Sequence, residues 1–177
     1  MAAGATLLLL AACSAPEAEA DGPYAEAARD AQRQATTDFE RDVFDDLTVS
    51  RDEYEEAVAR YVKCIKDAGA DVLPIDQGGY YSYQVSGDIA AYDAVADRCS
   101  AGTRVLIEPF YVNLVRNPDA QDFPDIVAEC FVRHDGVDEE VTGSDVTAYL
   151  DASTSGDPLP FEVDAEVFDL CMSNPQN

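Results

Sequence analysis

The chain has 177 residues, of which 36 are Asp or Glu and 11 are Lys or Arg, so its formal charge is −25 at neutral pH. This charge excludes a nucleic-acid-binding protein, because neutralising phosphates requires clustered Lys and Arg. It also opposes adsorption to anionic lipid headgroups. Hydrophobic residues make up 47% of the sequence, which is enough to bury the core of one domain.

An apolar segment containing a run of leucines lies at the start of the chain. Residues 2–12 are too few to span a bilayer as a helix, which needs about 20 residues, but they fit the hydrophobic part of a secretory signal. The sequence Leu10-Ala-Ala-Cys13 is similar to the lipobox of bacterial lipoproteins. The resemblance implies that residues 1–12 are a lipoprotein signal peptide and that acylated Cys13 anchors the protein in the lipid bilayer, on the extracytoplasmic face of the cell membrane.

One feature of a typical secretory signal is missing, because no Lys or Arg precedes the leucine run. The alternative interpretation is a cytosolic protein with an Ala/Leu-rich N-terminus and an incidental cysteine. Residues 13–22 are small or polar and predict a flexible tether directly after the lipobox. This arrangement favours the lipoprotein interpretation.

Residues 23–49 are predicted to form an N-terminal helical arm. Apolar side chains recur every three or four positions from Tyr24 to Leu47, which indicates one buried face of a helix. We expect this helix to run without a break from Pro23 to about Asp46, since Pro is tolerated in a first turn.

Residues 50–177 are predicted to form a small, mainly α-helical domain with one short β-hairpin. A capping box at Ser50-Arg-Asp-Glu53 begins its first helix, and Gly69 ends it. Two β-prone segments flank Asp76-Gln-Gly-Gly79 and predict the hairpin, with Pro74 on an edge strand. The remaining predicted elements are helices over residues 88–99, 105–115 (with a kink or restart at Pro109), 123–133, 144–150 and 163–171, and a short extended segment over residues 137–141.

Four cysteines follow Cys13, and an even number of cysteines in a secreted protein predicts two disulfides, with three connectivities open. The four are Cys64, Cys99, Cys130 and Cys171. Val95-Ala-Asp-Arg-Cys99 aligns with Val167-Phe-Asp-Leu-Cys171, which suggests a degenerate two-half repeat. It favours the pairs Cys64–Cys99 and Cys130–Cys171, although so short a pattern also recurs by chance in an Asp- and Val-rich chain.

Three segments carry a resemblance that covers most of the predicted mature chain. They are the lipobox at Cys13, the helix Asp52-Glu-Tyr-Glu-Glu-Ala-Val58 that leads into Cys64-Ile-Lys-Asp-Ala-Gly69, and Cys130-Phe-Val-Arg133. The chain resembles secreted, disulfide-containing lipoproteins of high-GC Gram-positive bacteria, which are uncharacterised. The resemblance implies a cell-envelope location and two disulfides, and it brings no catalytic residues.

No catalytic, cofactor-binding or metal-binding residue is predicted. The sequence contains no nucleophile elbow and no paired His/Cys zinc spacing, and His134, its single histidine, is interpreted as a helix-end residue. The acidic runs over residues 42–46 and 135–140 do not match a calcium loop, so a solvated acidic surface is expected there. A four-cysteine zinc site is the formal alternative to the disulfides.

The segment Tyr80-Tyr-Ser-Tyr83 is the strongest local candidate for a binding surface. If exposed, its rings could stack on sugars or anchor a protein partner. If buried, they would close the core beneath the helices, and this second interpretation is favoured. In a strand, Tyr81, Tyr83 and Val85 are expected to share one face.

The function predicted from these observations is that of a membrane-anchored extracytoplasmic lipoprotein, a non-enzymatic binding or accessory subunit of the cell envelope. Its expected partners are the lipid bilayer and an envelope protein, with residues 23–46 as the docking element. The first alternative is a ligand-binding lipoprotein for a cation, glycan or peptide. The second is a hydrolase that uses two carboxylates in a cleft.

Overall fold

The computed structural model of the protein describes residues 22–137 and 140–177. The predicted signal peptide, the predicted lipid-attachment residue Cys13 and the tether up to residue 21 lie outside the described residues. Helices dominate the described part, and its two strands form one antiparallel hairpin. The predicted mainly α-helical class with a short hairpin is confirmed.

Nine helices and two strands make up the described part of the chain. They are α1 (Ala25–Gln34), α2 (Asp38–Val43), α3 (Arg51–Asp67), β1 (Asp71–Asp76), β2 (Tyr81–Ser86), α4 (Ile89–Asp93), α5 (Ala96–Ser100), α6 (Ile107–Arg116), α7 (Phe123–Arg133), α8 (Gly143–Ser155) and α9 (Ala165–Ser173). We call residues 22–117 the N-terminal half and residues 118–137 with 140–177 the C-terminal half. The main packing contacts between elements fall within these halves.

Helix α3 is the centre of the N-terminal half, where it packs against β1, α5 and α6. Its predicted capping box is confirmed, since Ser50 and Glu53 each accept a hydrogen bond from the other's backbone N–H. Residues spaced three or four apart face the core, as a helical period requires. The buried side chains of α3 are Tyr54, Ala57, Val58, Tyr61 and Ile65.

The prediction of a single helix from Pro23 to Asp46 is wrong. The chain breaks over residues 35–37, and a second capping box, between Thr37 and Glu40, begins α2. A capping side chain offers the backbone an alternative to continued helix, which explains the break. The predicted apolar face nevertheless lies against the core, where it includes Ala28, Ala31 and Val43.

Two further predictions of helices in the N-terminal half need correction. The predicted helix over residues 88–99 is divided into α4 and α5, which are separated at Ala94 and Val95. No kink occurs at Pro109, because this residue lies in the first turn of α6, where its missing N–H would have no helical partner anyway.

Helix α8 of the C-terminal half starts earlier and ends later than predicted. Its N-cap is Thr142 rather than Ser144, and the helix extends to Ser155 instead of Leu150. The predicted extended segment over residues 137–141 forms no strand among its described residues. Helices α7 and α9 lie close to their predicted positions.

The predicted hairpin is present, and its two strands are antiparallel. Asp76 pairs with Tyr81, and Pro74 pairs with Tyr83. Gly78 and Gly79 have φ angles of 81° and 119°, a backbone region that favours glycine, so these two residues allow the tight reversal. Pro74 has no N–H to donate and therefore fits an edge strand.

Both disulfides have the favoured connectivity. Cys64 at the end of α3 is bonded to Cys99 in α5, with Cα atoms 5.5 Å apart, and Cys130 in α7 is bonded to Cys171 in α9, with Cα atoms 5.7 Å apart. The zinc alternative is wrong, because these bonds consume all four sulfurs. The segments between the bridged helices differ, since one contains the hairpin and the other contains α8.

Candidate functional site

The hairpin presents one face to the helices and one to solvent. Tyr81, Tyr83 and Val85 are half-buried and share the inner face, as predicted. Leu73 and Ile75 pair with Gln84 and Ser82 on the outer face and are 55% and 38% exposed. Directly paired residues share a face of an antiparallel ladder, so the outer face is a small apolar surface beside polar side chains.

The inner face is fixed by stacked tyrosines. The ring of Tyr54 in α3 stacks on Tyr81 and on Tyr111, with centroid separations of 5.8 and 4.3 Å. The Tyr54 hydroxyl accepts a hydrogen bond of 2.9 Å from the backbone N–H of Tyr81. Burial raises the pKa of Tyr54 to about 12, so the phenol stays neutral at physiological pH. Of the two interpretations of the tyrosine segment, the structure supports packing against the core.

A buried cation lies deeper beneath the hairpin. The Arg104 guanidinium lies 4.3 Å from the ring centroid of Tyr61 and 4.5 Å from that of Tyr83. It forms an ion pair with Glu108, whose carboxylate also accepts a hydrogen bond from the Tyr83 hydroxyl. Burial is the largest single effect on Arg104 and opposes its charge, but Glu108, Tyr83 and Tyr61 together outweigh it, and the pKa of Arg104 is raised. The pKa of Tyr83 is also raised, first by burial and then by its bond to Glu108.

The turn of the hairpin is held to α3 by Arg51. Its guanidinium donates to Glu55 at 2.6 Å, to the carbonyl oxygen of Gly79 at 2.7 Å and to the Tyr81 hydroxyl at 3.1 Å. Within the turn, Asp76 accepts hydrogen bonds from the N–H groups of Gly78 and Gly79 at 2.9 and 3.0 Å. These bonds, chiefly that from Gly79, lower the pKa of Asp76.

The chemistry of this cluster is structural. Arg51, Arg104 and Glu108 are engaged in ion pairs or hydrogen bonds that hold aromatic rings and backbone in place. A rigid base of this kind reduces the entropy lost when a surface residue is immobilised on binding. The cluster is therefore suited to presenting the outer face, with Leu73 and Ile75, to another macromolecule.

His134 lies at the end of α7, as predicted. Its Nε2 lies 3.1 Å from the backbone oxygen of Asn177. The neighbouring Arg133 donates to the backbone oxygens of Pro175 and Asn177 at 2.7 and 2.9 Å. Both side chains thus contact the C-terminal backbone.

A groove of about 500 Å³ contains the carboxylates that a hydrolase would need. Asp125, Glu129 and Glu140 line it, and all three are exposed to solvent. A general acid needs a carboxyl whose protonated form is favoured, usually by removal from water. This groove does not provide that environment.

The acidic runs do not form a metal centre among the described residues. No group of three or more His, Cys, Asp or Glu side chains in that part of the chain could hold a metal ion. In the run over residues 42–46, Asp42, Asp45 and Asp46 are exposed. Residues 138 and 139 of the second run lie outside the described residues.

Glu40 is a buried carboxylate that the sequence interpretation missed. It is 1% exposed, and its Oε2 accepts hydrogen bonds from the backbone N–H and hydroxyl groups of Thr36 and Thr37. Its Oε1 has no hydrogen-bond donor in the described part of the chain. The sequence does indicate a role for this residue, because Thr37-Asp-Phe-Glu40 matches a capping box.

No helix in the described part of the chain has the length and composition of a membrane-spanning segment. The longest helix in the described part, α3, has 17 residues and alternates apolar with charged positions. Nowhere in residues 22–137 and 140–177 is a helix both long and apolar enough to cross a membrane.

No protein-family model matches the chain, and no match to it was found among curated proteins or solved structures.

Proposed function

We propose that the protein is a lipoprotein held on the extracytoplasmic face of the cell membrane by acylated Cys13, and that it acts there as a non-enzymatic binding or accessory subunit of the envelope. The sequence Leu10-Ala-Ala-Cys13, followed by a polar tether, carries the proposal. The two disulfides support it, because such bonds persist in oxidising compartments outside the cytoplasm.

Because the chain is acidic, its attachment to an anionic membrane requires a lipid anchor. Residues 1–12 contain no charged side chain, so the whole charge of −25 belongs to the predicted mature protein. An anionic membrane repels such a surface. Two or more acyl chains give stable attachment where one chain is marginal, so acylation of Cys13 overcomes the repulsion.

The outer face of the hairpin is the binding surface of this proposal. The apolar stripe of α1 and α2, which lie within the predicted docking element at residues 23–46, packs into the domain's own core. Leu73 and Ile75, in contrast, are exposed side chains on β1, whose partner strand β2 and connecting turn are held from beneath by Tyr54 and Arg51. Exposed aliphatic groups on a rigid base, with Gln84 beside them, fit the apolar centre and polar rim of a protein–protein contact.

The anchoring is tested by Cys13→Ser in the native host. We expect the wild type to incorporate a labelled fatty acid and to sediment with membranes, and the variant to lose the label and to be released or to remain as uncleaved precursor. Unchanged labelling of the variant would refute acylation at Cys13.

The binding surface is tested by purification from native membranes in mild detergent. We expect a stoichiometric protein partner to co-purify with the wild type and to be lost from Leu73→Ser/Ile75→Ser. Val132→Ser/Leu159→Ser is the matched control, because these two side chains are 50% and 48% exposed elsewhere on the surface. A lone monomer, or equal loss of the partner from both variants, contradicts the proposed surface.

A further inference from the structure

A surface depression lies directly over one of the two disulfides. It encloses about 440 Å³ and is lined by Arg60, Lys63, Cys64, Asp67, Ala68 and Arg98. Five of these residues come from the last turns of α3, where positions three and four apart are neighbours. Arg98 comes from α5 and directly precedes Cys99, the partner of Cys64.

The depression is cationic on a protein that is otherwise acidic. It holds three of the chain's 11 Lys and Arg side chains and one of its 36 Asp and Glu side chains. Arg60 pairs with Glu56 at 2.8 Å, and Lys63 pairs with Asp67 at 2.5 Å. Arg98 is exposed and makes no ion pair within the described residues. The local field therefore favours an anion, although the surrounding protein repels one.

The four bridged cysteines differ in exposure. Cys64 is half-buried and forms part of the wall of the depression, whereas its partner Cys99 is 1% exposed. Cys130 and Cys171 are both 0% exposed. Thiol–disulfide exchange requires a thiolate to reach a disulfide sulfur. Of the four bridged cysteines, Cys64 is the one that is partly exposed, and we therefore expect a thiolate to reach its sulfur first.

We infer that this depression is a site for a small anionic thiol, one that carries a carboxylate, and that the thiol exchanges with the Cys64–Cys99 disulfide. After the two ion pairs are counted, Arg98 leaves the depression with a net positive charge, which attracts the carboxylate and stabilises the attacking thiolate. A volume of about 440 Å³ accommodates a molecule of this size. The inference goes beyond the proposed function and does not depend on acylation of Cys13.

The exchange balances without a further reactant. The thiolate forms a bond to Cys64 Sγ, the Cys64–Cys99 bond breaks, and its electron pair leaves on Cys99 Sγ, which takes a proton from water. A second thiolate then attacks the sulfur of the bound thiol, forms the oxidised disulfide of the small thiol and releases Cys64 as a thiolate. The protein disulfide is reduced and two small thiols are oxidised.

The test compares the two disulfides within one molecule. The full chain carries Cys13→Ser so that no other protein thiol competes, and the probes are mercaptopropionate (anionic), mercaptoethanol (neutral) and cysteamine (cationic). Reactions are stopped by alkylation, and each cysteine is quantified by mass spectrometry. Rates are expressed per thiolate, because the three thiols ionise to different extents. With mercaptopropionate we expect Cys64–Cys99 to open at least about tenfold faster than Cys130–Cys171.

Charge variants distinguish attraction of the thiol by the charges of the depression from simple accessibility of the Cys64–Cys99 disulfide. Lys63→Gln/Arg98→Gln should slow the reaction of Cys64–Cys99 with mercaptopropionate about threefold or more, because two attracting charges are lost, and should leave the rate with mercaptoethanol unchanged. Lys66→Gln is the matched control, since Lys66 lies on the same helix but outside the depression. Equal rates for the two disulfides, or equal slowing with all three thiols, would overturn the inference. Circular dichroism verifies that the variants remain folded.

Discussion

The two halves of the molecule close their cores with different aromatic residues. Eight of the nine tyrosines precede residue 118, whereas four of the seven phenylalanines follow it. In the N-terminal half the tyrosine rings stack, and several of their hydroxyls bond to backbone, carboxylate or one another. In the C-terminal half, Phe131 packs against Phe161 and Phe168, at centroid distances of 6.5 and 6.1 Å.

This difference shows two ways of specifying a small core. Buried hydroxyl groups must find partners, so the tyrosines of the N-terminal half fix the hairpin in one register. The C-terminal half has fewer such constraints and instead places a wholly buried disulfide, Cys130–Cys171, among its apolar side chains. We therefore expect the N-terminal half to respond more strongly to loss of polar groups and to pH, and the C-terminal half to loss of its bridge.

The largest effect is expected from removing the buried disulfide. The two bridges span similar separations of 35 and 41 residues, so the loop-entropy model gives each about 4 kcal/mol. Cys130→Ala/Cys171→Ala also removes two atoms from a sealed core, which adds a packing loss. It should therefore lower the free energy of unfolding more than Cys64→Ala/Cys99→Ala does. Guanidinium denaturation followed by circular dichroism measures both, and equal losses would contradict the assigned role of burial.

Loss of the buried cation should be the next largest effect. Arg104→Met leaves Glu108 without its ion-pair partner at a site where both side chains are mostly shielded from solvent, so we expect a loss of about 3 kcal/mol. The companion variant Arg104→Met/Glu108→Gln removes the unpaired charge and keeps an acceptor for the Tyr83 hydroxyl. The double variant should recover more than half of the free energy of unfolding that the single variant loses. If the double variant is no more stable than the single one, the ion pair does not explain the role of Arg104.

Alkaline pH should destabilise the N-terminal half through its buried tyrosines. Burial raises the pKa values of Tyr54 and Tyr61 from 10.0 to about 12. A folded-state pKa above the unfolded value means that the stabilisation is complete below pH 10.0 and is lost as pH rises towards 12. We expect a loss of about 2 kcal/mol from each of the two tyrosines over that interval, measured by urea denaturation at each pH. Tyr54→Phe/Tyr61→Phe should flatten this pH dependence, and an unchanged slope in the variant contradicts the assignment.

Several elements of the fold could be predicted from the sequence, whereas the break between α1 and α2 was missed. Helix α3, the hairpin and both disulfide pairs follow local rules: a capping box, two turn glycines and regular cysteine spacing. The break between α1 and α2 follows a local rule as well, but the apolar periodicity across it hid the cap at Thr37. The apolar periodicity favours one continuous helix and the cap at Thr37 favours a new helix, and in this structure the cap determines where α2 begins.

The site beneath the hairpin could be predicted only in part. Strand alternation was sufficient to place Tyr81, Tyr83 and Val85 on one face. The position of Arg104 between Tyr61 and Tyr83 depends on contacts between residues far apart in the chain, and no periodicity encodes these. The cationic depression over Cys64 likewise requires α5 to place Arg98 beside α3.

The helix caps provide a smaller comparison between the halves. The box at Thr37 closes on buried Glu40, whereas the box at Thr142 closes on half-buried Asp145. Loss of a cap costs about 1 kcal/mol in general. We expect about 2 kcal/mol for Thr37→Ala, because buried Glu40 also loses a donor, and about 1 kcal/mol for Thr142→Ala. Thermal unfolding measures both, and a larger loss for Thr142→Ala would reverse the interpretation.

The smallest effect is expected at the hairpin turn. Hydrogen bonds from Gly79 and Gly78 lower the pKa of Asp76, so its stabilising contribution is present above the unfolded-state pKa and is lost as the pH falls through the folded-state value. Asp76→Asn should speed amide exchange of Gly78 and Gly79 at neutral pH, and this difference from the wild type should disappear in acid. A difference that persists in acid would show that the Asp76 charge is not what orders the turn. The turn holds the strand that carries Leu73 and Ile75. The same variant therefore also tests how strongly binding by the outer face depends on the rigidity of the hairpin.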